Sequence, residues 1–465
     1  MNKNFDVNYS KYIQKLYRKQ DTELSNDNNQ VPHKYSVLER EDFTKYETYS
    51  IDPDGCEDAD DAFSVFQDSN SQFLAIHIAD PTEYINIESP VWKTIMENVV
   101  TQYPSNQKPI HMMPNIIMEK ASLLDNSFGN IKSAITILIE LDVKTFNPQN
   151  VKLLFTKIKV KKENALSYKK ATECMFTNKD IFIALQVSYI LQKIRSVKTL
   201  GVKLNEVSHS YPIFKDNIAY LHKDSEYEIK IKQMIAEFAI LANSFVGEYL
   251  QINLNGRGIF RTCNANDWLG NKYNLSGDEL LNEIISNGIR AEYLSSRASH
   301  DLVGAVEYTH FTSPIRRVSD CVCHYLLKYI HIKTKESSLP IPFSDKELEQ
   351  ISNTCLNMTR KMKQIQYKDN KFRLTQCMYN LLFVCNKLKI TFYITGFTGL
   401  FLNTIICKVN NHDVYLSYTL KTKICNLEID NKKLYTIDVN KITCPELYDE
   451  GSIPELDIEL ISLVT

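Results

Sequence analysis

The pattern of apolar residues changes twice along this 465-residue chain, and the order of the resulting segments constrains the fold more than any other feature. Between residues 46 and 160, five short runs rich in β-branched and aromatic residues alternate with polar turns, which predicts strands. The middle of the chain has helical spacing, as in the apolar stripe from Ile231 to Tyr249, and residues 346–382 form one long helical stretch. Five more strand-like runs follow residue 386, the last at 457–463. This order predicts an α+β fold that ends in a small β-barrel of the OB type.

The overall composition is ordinary for a folded protein, and it narrows the class of partner. The chain is 43% hydrophobic, and 54 lysines and arginines against 56 aspartates and glutamates give a net charge of −2. A histone-like protein, which binds nucleic acid through bulk positive charge, is therefore excluded, although a local basic groove is not. No membrane span is expected, because no run of ~20 apolar residues occurs.

The cysteines and the polar stretches bear on location and on domain organisation. The 11 cysteines form no CxxC pair, so neither a zinc ribbon nor a disulfide framework is expected. The first residues lack the apolar core of a secretory signal peptide. We therefore expect a reducing, cytoplasmic location. Polarity divides the chain into an N-terminal arm at residues 1–39, a main domain at 40–385 and a small β-domain at 386–465.

Asp52, Asp58, Asp60 and Asp61 lie close together between two of the predicted strands. Carboxylates at this spacing repel one another, and partial burial strengthens the repulsion. A divalent cation would remove the repulsion, and hard oxygen ligands suit Mg²⁺ or Mn²⁺. A further predicted strand ends at Asp80, which we expect to bring another carboxylate to the same edge. The segment therefore predicts a divalent-metal site.

Two other interpretations of this acidic segment stay open on the residues alone. A solvated acidic loop is the commoner outcome for a run of aspartates. An EF-hand also concentrates aspartates, but Gly55 is misplaced for its loop, and the predicted flanks are strands and not helices. The apolar residues Ile51 and Phe63 on either side favour a partly buried site over a solvated loop.

A second informative segment is basic. Ser313 and Pro314 predict a helix start, with the serine as cap and the proline at the first helical position. Arg316 and Arg317 would then lie in the first turn, where an anion such as a phosphodiester would compensate their charge. Arg316 and Asp320, at i,i+4 spacing, would orient each other. A surface helix with a local arginine–aspartate pair explains this segment equally well.

Together the two segments resemble the RNB catalytic domain of the ribonuclease II family, which includes ribonuclease R and the Dis3 subunit of the exosome. The family's acidic motif has the form IDp…eDxDDA, and residues 51–62 read IDPDGCEDADDA. Its later motif is close to YthFTSPIRRyxDxxxH, which residues 308–324 match almost completely. Glu237 and Asn243 fit the family's long E…AN helix, and His300 fits its HxGL segment.

The resemblance implies a mixed sheet surrounded by helices, followed by a degenerate S1/OB-like barrel. It implies a hydrolytic 3′→5′ exoribonuclease that degrades single-stranded RNA to 5′-mononucleotides with two Mg²⁺ ions, for which Mn²⁺ could substitute. The metal ligands that it marks are Asp52, Asp58, Asp60 and Asp61. Its catalytic residues are Asp60, Asp61 and Arg316. The RNA-binding residues that it marks are Tyr168, His300, His310, Ser313, Arg316 and Arg317. On the residues alone, a structural histidine is the commoner explanation for His310, and His300 is ambiguous.

The chain also departs from the family pattern. The family usually places two cold-shock domains before the catalytic domain, whereas about forty polar residues precede it here. We therefore expect lower processivity, unless a protein partner supplies the missing RNA-binding domains. Separately, we expect a monomer. Cys263 stands where the family has histidine, and Gln366 lies near the place of a family glutamate.

Two local clusters of basic residues predict an RNA path in spite of the near-zero net charge. One cluster consists of Lys152, Lys157, Lys159, Lys161 and Lys162, and the other of Arg360, Lys361, Lys363, Lys368, Lys371 and Arg373. The residues that we place on the path are Lys159, Lys161, Lys162, Arg360 and Lys363. Two solvated faces, the commoner outcome for lysines, stay open as the alternative. Two rival functions stay open. One is a catalytically weak RNA-binding relative of the family. The other is a metal-dependent phosphodiesterase acting on DNA or short oligonucleotides, because the choice of RNA depends on contacts to the 2′-hydroxyl.

Overall fold

The computed structural model of the protein describes residues 16–17, 29, 31–68, 71–198, 210–215, 218–265, 284, 288–336, 338–398, 401–422, 433–439, 441–443 and 455–458. Its helices are α1 (Pro90–Asn98), α2 (Asn115–Ala121), α3 (Tyr168–Cys174), α4 (Lys179–Lys198), α5 (Glu226–Leu254), α6 (Val318–Lys333) and α7 (Asp345–Cys385). Within these ranges, no helix combines the length and the apolar content that a bilayer crossing needs.

A five-stranded mixed sheet forms the centre of the fold. Its strands, in spatial order, are β1 (Glu41–Asp42), β6 (Pro148–Lys159), β5 (Ile131–Leu141), β4 (Ser71–Ala79) and β3 (Asp61–Asp68). β1 runs parallel to β6, and the other neighbouring strands are antiparallel. β4 and β5 are buried almost throughout, as expected for apolar runs covered on both faces, whereas β6 is largely half-buried or exposed. The predicted mixed sheet with surrounding helices is therefore confirmed.

Smaller strand pairs flank this sheet. β2 (Ser50–Asp52) pairs in parallel with β7 (Ala165–Ser167). β8 (Tyr211–Lys215) and β9 (Ile218–His222) form a hairpin, and β10 (Phe260–Thr262) pairs with β11 (Glu292–Leu294). The first of these pairs matters most for the site, because it places the end of β2 beside the start of α3.

Each of the two long helices begins at a side-chain capping box. Ser225 and Glu228 form a reciprocal capping box at the start of α5, and Ser344 and Glu347 form another at the start of α7. Each box satisfies two backbone groups that a helix start leaves without a helical partner. The predicted apolar stripe of α5 is buried at Ile231, Met234 and Phe238 and half-buried towards Tyr249. The predicted long helix is confirmed as α7.

The predicted helix start at Ser313 and Pro314 is wrong, because α6 begins only at Val318. Residues 314–316 form a turn, and the extended Arg317 after it pairs with Val100, which follows α1. The Thr101 amide donates to the Arg316 carbonyl at 3.0 Å, and the Val318 amide donates to the Val99 carbonyl at 3.0 Å. These bonds hold the backbone of the arginine pair in a short bridge, so neither arginine lies in the first turn of a helix.

The C-terminal region folds into a six-stranded sheet that packs on the end of α7. Its strands, in spatial order, are β15 (Leu434–Val439), β12 (Leu388–Thr398), β13 (Phe401–Val409), β14 (His412–Thr422), β17 (Glu455–Ile458) and β16 (Lys441–Thr443). Leu374 and Met378 of α7 share its apolar core. The last predicted strand extends beyond the described residues, and closure into an OB-type barrel stays a prediction.

Candidate active site

The acidic segment forms a corner between two strands. Asp52 is the last residue of β2, and Asp61 is the first residue of β3. Two backbone hydrogen bonds of 2.8 Å between Tyr49 and Phe63 close the corner at its base. The loop turns at Gly55, whose φ of +79° lies in the region that favours glycine. The predicted strand–loop–strand arrangement is therefore present, and we call residues 52–61 the acidic corner.

Asp60 is the most deeply engaged carboxylate of the corner, with an exposed fraction of 4%. Its Oδ1 accepts from the Ile315 amide at 2.8 Å, and its Oδ2 accepts from Nε of Arg316 at 3.0 Å. Burial raises the pKa of Asp60 to about 8, although Arg316 acts in the opposite direction. The arginine motif and the acidic corner, 256 residues apart in sequence, therefore meet in one place.

Two more carboxyl groups of the corner carry raised pKa values. Burial, with repulsion from Asp61 and Asp58, raises the pKa of Asp52 to about 7. Burial also raises the pKa of Asp61 to about 6. The Oδ2 atom of Asp52 is buried without a hydrogen-bond partner, which is costly for a carboxylate oxygen. The corner thus concentrates negative charge that the surrounding protein does not fully compensate.

Tyr103 belongs to this site, and the motifs did not reveal it. Its phenol donates to Oδ2 of Asp58 at 2.6 Å. Burial and the neighbouring Asp58 raise the pKa of Tyr103, so the phenol stays protonated and keeps donating. The side chain reaches the corner from the chain after α1, which also pairs with the backbone of the arginine motif. No pattern of spacing in the sequence links that loop to the aspartates.

Arg316 is held on one side and open on the other. Its Nη2 donates to Oγ of Ser313 at 2.9 Å, while Nε donates to Asp60. The side chain still keeps 46% of its surface exposed. A guanidinium held in this way has a fixed orientation and can still meet an anion from solvent.

Helix α5 positions the segment that leads to Arg316. The amide of Phe311 donates to Oδ1 of Asn243 at 2.8 Å, and Nδ2 of Asn243 donates to the Tyr308 hydroxyl at 3.1 Å. Gly247 lets the two chains approach, because a Cβ there would lie 2.9 Å from the Glu307 carbonyl group. Asn243 therefore supports the site from behind and does not enter it.

Arg317 and Asp320 form a pair, which corrects the predicted pairing of Arg316 with Asp320. Nε and Nη2 of Arg317 donate to the two carboxylate oxygens of Asp320 at 2.9 and 2.8 Å. Asp320 also accepts from the amide of Ser313 at 2.8 Å. The pair fixes the turn before α6, and Arg317 keeps 22% of its side-chain surface exposed.

The histidines near the site are held by the protein. Tyr293 and His310 share a hydrogen bond of 2.7 Å. The ring of His300 packs edge-on against Tyr308, and Nε2 of His324 contacts the Phe311 carbonyl at 3.0 Å. Burial, together with nearby arginines, lowers the pKa of His300 to about 4 and that of His310 well below its ordinary value. Both rings are therefore neutral at physiological pH.

Tyr168 lies beside the acidic corner as the first residue of α3. The parallel pairing of β7 with β2 brings it there, because Ser167 is opposite Asp52 in the register. Burial, with Asp52 and Asp61 nearby, raises the pKa of Tyr168 to about 12. Nζ of Lys232 lies 5.0 Å from the ring centroid. Tyr168 therefore lies next to the acidic corner, and its role in holding a 3′-terminal nucleotide stays a prediction.

Asp80 does not join the acidic corner, although its position at a strand end predicted that it would. Its Oδ2 lies 2.6 Å from Nη2 of Arg40 and 3.0 Å from Nζ of Lys328, and both cations also contact Glu83. These cations hold the pKa of Asp80 well below its ordinary value against the effect of burial. Asp80 therefore belongs to a buried structural network.

The predicted basic path is only partly exposed. Lys159 is half-buried, Lys162 is exposed, and Lys161 pairs with Glu47. Lys371 and Arg373 of the second cluster are buried, so they do not line a solvent-facing path.

A cavity of about 500 Å³ lies on the other basic cluster, along α7 and the start of β11. Its charged lining residues are Arg290, Glu292, Arg360, Lys363 and Lys368. Arg360 also pairs with Glu292. Four basic side chains against one carboxylate make this cavity attractive to an anionic chain.

The residues of the acidic corner suit a divalent cation. All the ligand atoms are hard carboxylate oxygens, and the unpartnered Oδ2 of Asp52 is an acceptor that a cation would satisfy. The four aspartates do not place ligand atoms of three side chains within 4.8 Å of one another in the described structure. Binding a cation therefore requires their side chains to turn towards a common point.

One group of described residues does meet that distance criterion, at His222, Asp224 and Glu228. Its carboxylates already have partners, because Asp224 accepts from Lys232 at 2.6 Å and Glu228 caps the start of α5.

A buried carboxylate cluster beside an arginine, at the edge of a mixed sheet, is the kind of site that metal-dependent phosphodiesterases use. Residues 40–333 match the RNB domain family, and the chain belongs to that family. The family is one of hydrolytic exoribonucleases, which are generally dependent on a divalent metal.

Curated relatives support this assignment. Exoribonuclease 2 of Mannheimia succiniciproducens is 25% identical over 356 residues, which are 63% of this chain and 53% of that protein. The mitochondrial exoribonuclease II of Saccharomyces cerevisiae is 24% identical over 67% of this chain and 36% of its own length. The chain thus spans about half or less of these relatives.

Solved structures share the fold. An active-site mutant of the Dss1 exoribonuclease from Candida glabrata has a TM-score of 0.72 at 18% identity, over 92% of this chain and 57% of that one. Mycoplasma genitalium RNase R, in complex with ribose-methylated single-stranded RNA, has a TM-score of 0.67 at 18% identity, over 97% of this chain and 75% of that one. Yeast Ssd1, a pseudonuclease, has a TM-score of 0.61 at 17% identity, over 79% of this chain and 49% of that one.

Proposed function

We propose that this chain hydrolyses single-stranded RNA from its 3′ end and releases 5′-mononucleotides in a Mg²⁺-dependent reaction. The observation that supports this most is the contact between Asp60 of the acidic corner and Arg316, which joins a carboxylate cluster to an exposed guanidinium. A phosphodiester needs both, because its hydrolysis develops negative charge that a cation and a guanidinium stabilise.

In this proposal, Asp52, Asp58, Asp60 and Asp61 hold the cation. Mg²⁺, or Mn²⁺ in its place, held by these carboxylates would supply the Lewis acid that lowers the pKa of a water and offsets charge on the leaving 3′-oxygen. Membership of a generally metal-dependent family and the raised pKa values of the corner support this ligand set.

The residues of the chain supply orientation and charge. Arg316 offsets the charge that develops on the non-bridging phosphate oxygens, and its bonds to Asp60 and Ser313 fix the guanidinium for that task. Tyr103 keeps Asp58 in one orientation through its phenol. Tyr168, beside the corner, is the residue that we propose for holding the 3′-terminal nucleotide.

The remaining RNA contacts follow from charge and position. We infer that Arg317 contributes positive charge beside the scissile phosphate, and that His300 and His310 line the site as neutral rings. The basic cavity with Arg360 and Lys363 would take the upstream strand, with the exposed Lys162 as a second region of positive charge. The complex of Mycoplasma genitalium RNase R with RNA supports the choice of substrate class.

The experiment compares the purified protein with Asp60→Asn on 5′-labelled single-stranded RNA and DNA in Mg²⁺. Progressive 3′ shortening of RNA that the variant loses supports the proposal. Equal shortening of DNA would indicate a less selective phosphodiesterase, and RNA shortening by the variant would contradict the role of the acidic corner. A variant at the exposed Asp54, Asp54→Asn, serves as the matched control from the same loop.

A second function has an observation of its own. Both carboxylate oxygens of Asp60 already accept hydrogen bonds from Ile315 and Arg316, and the four aspartates do not yet converge. An RNA-binding protein without nuclease activity would tolerate that geometry, and a pseudonuclease, yeast Ssd1, shares the fold. RNA binding without shortening, in Mg²⁺ and in Mn²⁺ alike, would favour this second function.

A further inference from the structure

The loop at residues 99–110, which follows α1, contacts both halves of the site. We call it the bridging loop. Its Thr101 amide bonds the Arg316 carbonyl, and its Tyr103 phenol bonds Asp58. Backbone bonds of 3.0 and 2.8 Å between Gln102 and Ile110 close the loop on itself. A shift of this loop would therefore move both the carboxylate and the guanidinium of the site.

The other side of the bridging loop is fixed to α7. The amide of Ser105 donates to Oδ2 of Asp369 at 3.0 Å, and Nη2 of Arg373 donates to the Ser105 carbonyl at 2.9 Å. Asp369 and Arg373 are both almost fully buried, with exposed fractions of 2% and 3%. Charge-assisted hydrogen bonds in a buried setting are strong and directional. This pair therefore sets the position of the loop.

A residue from the far N-terminal part of the chain completes this attachment. The phenol of Tyr17 donates to Oδ2 of Asp369 at 2.8 Å, the same oxygen that accepts from Ser105. The side chain of Tyr17 is 5% exposed. It forms an apolar cluster with Met362, Ile365 and Phe372 of α7. Val100 and Ile110 of the bridging loop pack against this cluster.

Both parts of the Tyr17 side chain act on the loop. Burial beside Asp369 raises the pKa of the phenol, so it donates throughout the physiological range. The ring fills space that the apolar residues Val100 and Ile110 would otherwise have to close. Loss of the hydroxyl would leave the buried Asp369 carboxylate with one hydrogen-bond donor fewer, which would lower the free energy of unfolding.

We propose that Tyr17 is a positioning residue for the active site: through Asp369 and Ser105 it fixes the bridging loop, and with it Tyr103 and the backbone of Arg316. This inference rests on the proposed function for its activity readout. Tyr17 therefore supports the active site through other residues and does not contact the substrate.

The test compares Tyr17→Phe, which keeps the ring, with Tyr17→Ala. Tyr35→Phe is the matched control, since Tyr35 is also buried and donates to a single acceptor, the Pro340 carbonyl. We expect Tyr17→Phe to lower kcat for RNA shortening about tenfold, as for a charge-assisted bond lost near the site. RNA affinity should stay within about twofold of wild type, because Tyr17 is not among the residues that line the basic cavity. Tyr35→Phe should leave kcat unchanged. Amide exchange in the bridging loop should become faster in both Tyr17 variants and not in the control.

Equal kcat values for Tyr17→Phe and Tyr35→Phe would overturn the inference, and so would unchanged exchange in the bridging loop. Failure of the proposed function would look different, because the wild-type protein itself would not shorten RNA. In that case the exchange measurement still decides whether Tyr17 fixes the loop. If Tyr17→Ala does not fold, Tyr17→Phe carries the test alone, since it removes one oxygen and leaves the packing intact.

Discussion

Replacing Asp52 by asparagine should stabilise the metal-free protein while it removes the metal-dependent activity. Burial first, and then the charges of Asp61 and Asp58, raise the pKa of Asp52 from the ordinary 3.8 to about 7. At ~1.4 kcal/mol for each pH unit, keeping this group ionised at neutral pH costs about 4 kcal/mol of unfolding free energy. Asparagine has the same shape and no charge, so it avoids most of that cost.

The sign of the pH dependence follows from proton linkage. The folded protein binds the Asp52 proton more tightly than the unfolded chain does, so protonation favours the folded state. The loss of unfolding free energy caused by ionised Asp52 is absent below about pH 4. It grows as the pH rises and is complete above about pH 7. Metal-free wild-type protein should therefore lose stability through this window, and Asp52→Asn should lose less.

Urea unfolding in EDTA measures both effects, with the exposed Asp54→Asn as the control. At pH 8 we expect Asp52→Asn to exceed the wild type by roughly 1–4 kcal/mol, with a smaller difference at pH 5. Added Mg²⁺ should then stabilise the wild type and not Asp52→Asn, because ligand binding favours only a folded state that holds the site. If Asp52→Asn is less stable than the wild type at pH 8 in EDTA, the reasoning is refuted. A difference in unfolding free energy that is the same at pH 5 and pH 8 would also refute it.

Three further substitutions test other parts of the site. Arg316→Lys should lower kcat about 10²-fold, because an ammonium cannot bond Asp60 and a phosphate in the same fixed fork; an unchanged kcat in single-turnover assays would contradict its role. Asn243→Ala removes the acceptor for a buried amide and should cost about 1–3 kcal/mol in urea unfolding, together with a loss of kcat; full stability would count against it. The double charge reversal Arg360→Glu with Lys363→Glu should weaken RNA binding and flatten its salt dependence; equal slopes would exclude this cavity from the RNA path.

The elements that the sequence predicted well are those with a strong local pattern. β4 and β5 read as apolar runs and are buried almost throughout, and the long helical stretch that became α7 has a clear helical pattern. The acidic corner follows in the same way, since the flanking strands fix where its aspartates lie.

What the sequence could not supply were contacts between distant segments. Ser313 and Pro314 form a good local helix start, yet the backbone of Arg316 bonds Thr101 instead, and no local rule contains that pairing. Asp80 ends a strand as a metal ligand would, but the buried cations Arg40 and Lys328 neutralise it. In each case a tertiary partner outweighed a local preference.

Tyr103 and Tyr17 show the same limit from the other side. Each lies in a segment with no recognisable motif, and each gains its role through one carboxylate, Asp58 or Asp369, that the fold brings within hydrogen-bond distance. Buried lysine and arginine side chains mislead in a related way. In the sequence, Lys371 and Arg373 belong to a basic cluster, but both side chains are buried in the fold.

The central claim is that the acidic corner delivers a divalent cation to the scissile phosphate, and a sulfur substitution tests it most directly. An RNA with a phosphorothioate at its last linkage replaces a hard oxygen ligand by soft sulfur, which Mg²⁺ binds poorly and Mn²⁺ binds better. Single-turnover cleavage of this linkage should be slow in Mg²⁺ and recover by at least about tenfold in Mn²⁺, relative to the all-oxygen substrate. Cleavage that is equally fast in both ions, or that survives in EDTA, would contradict the account.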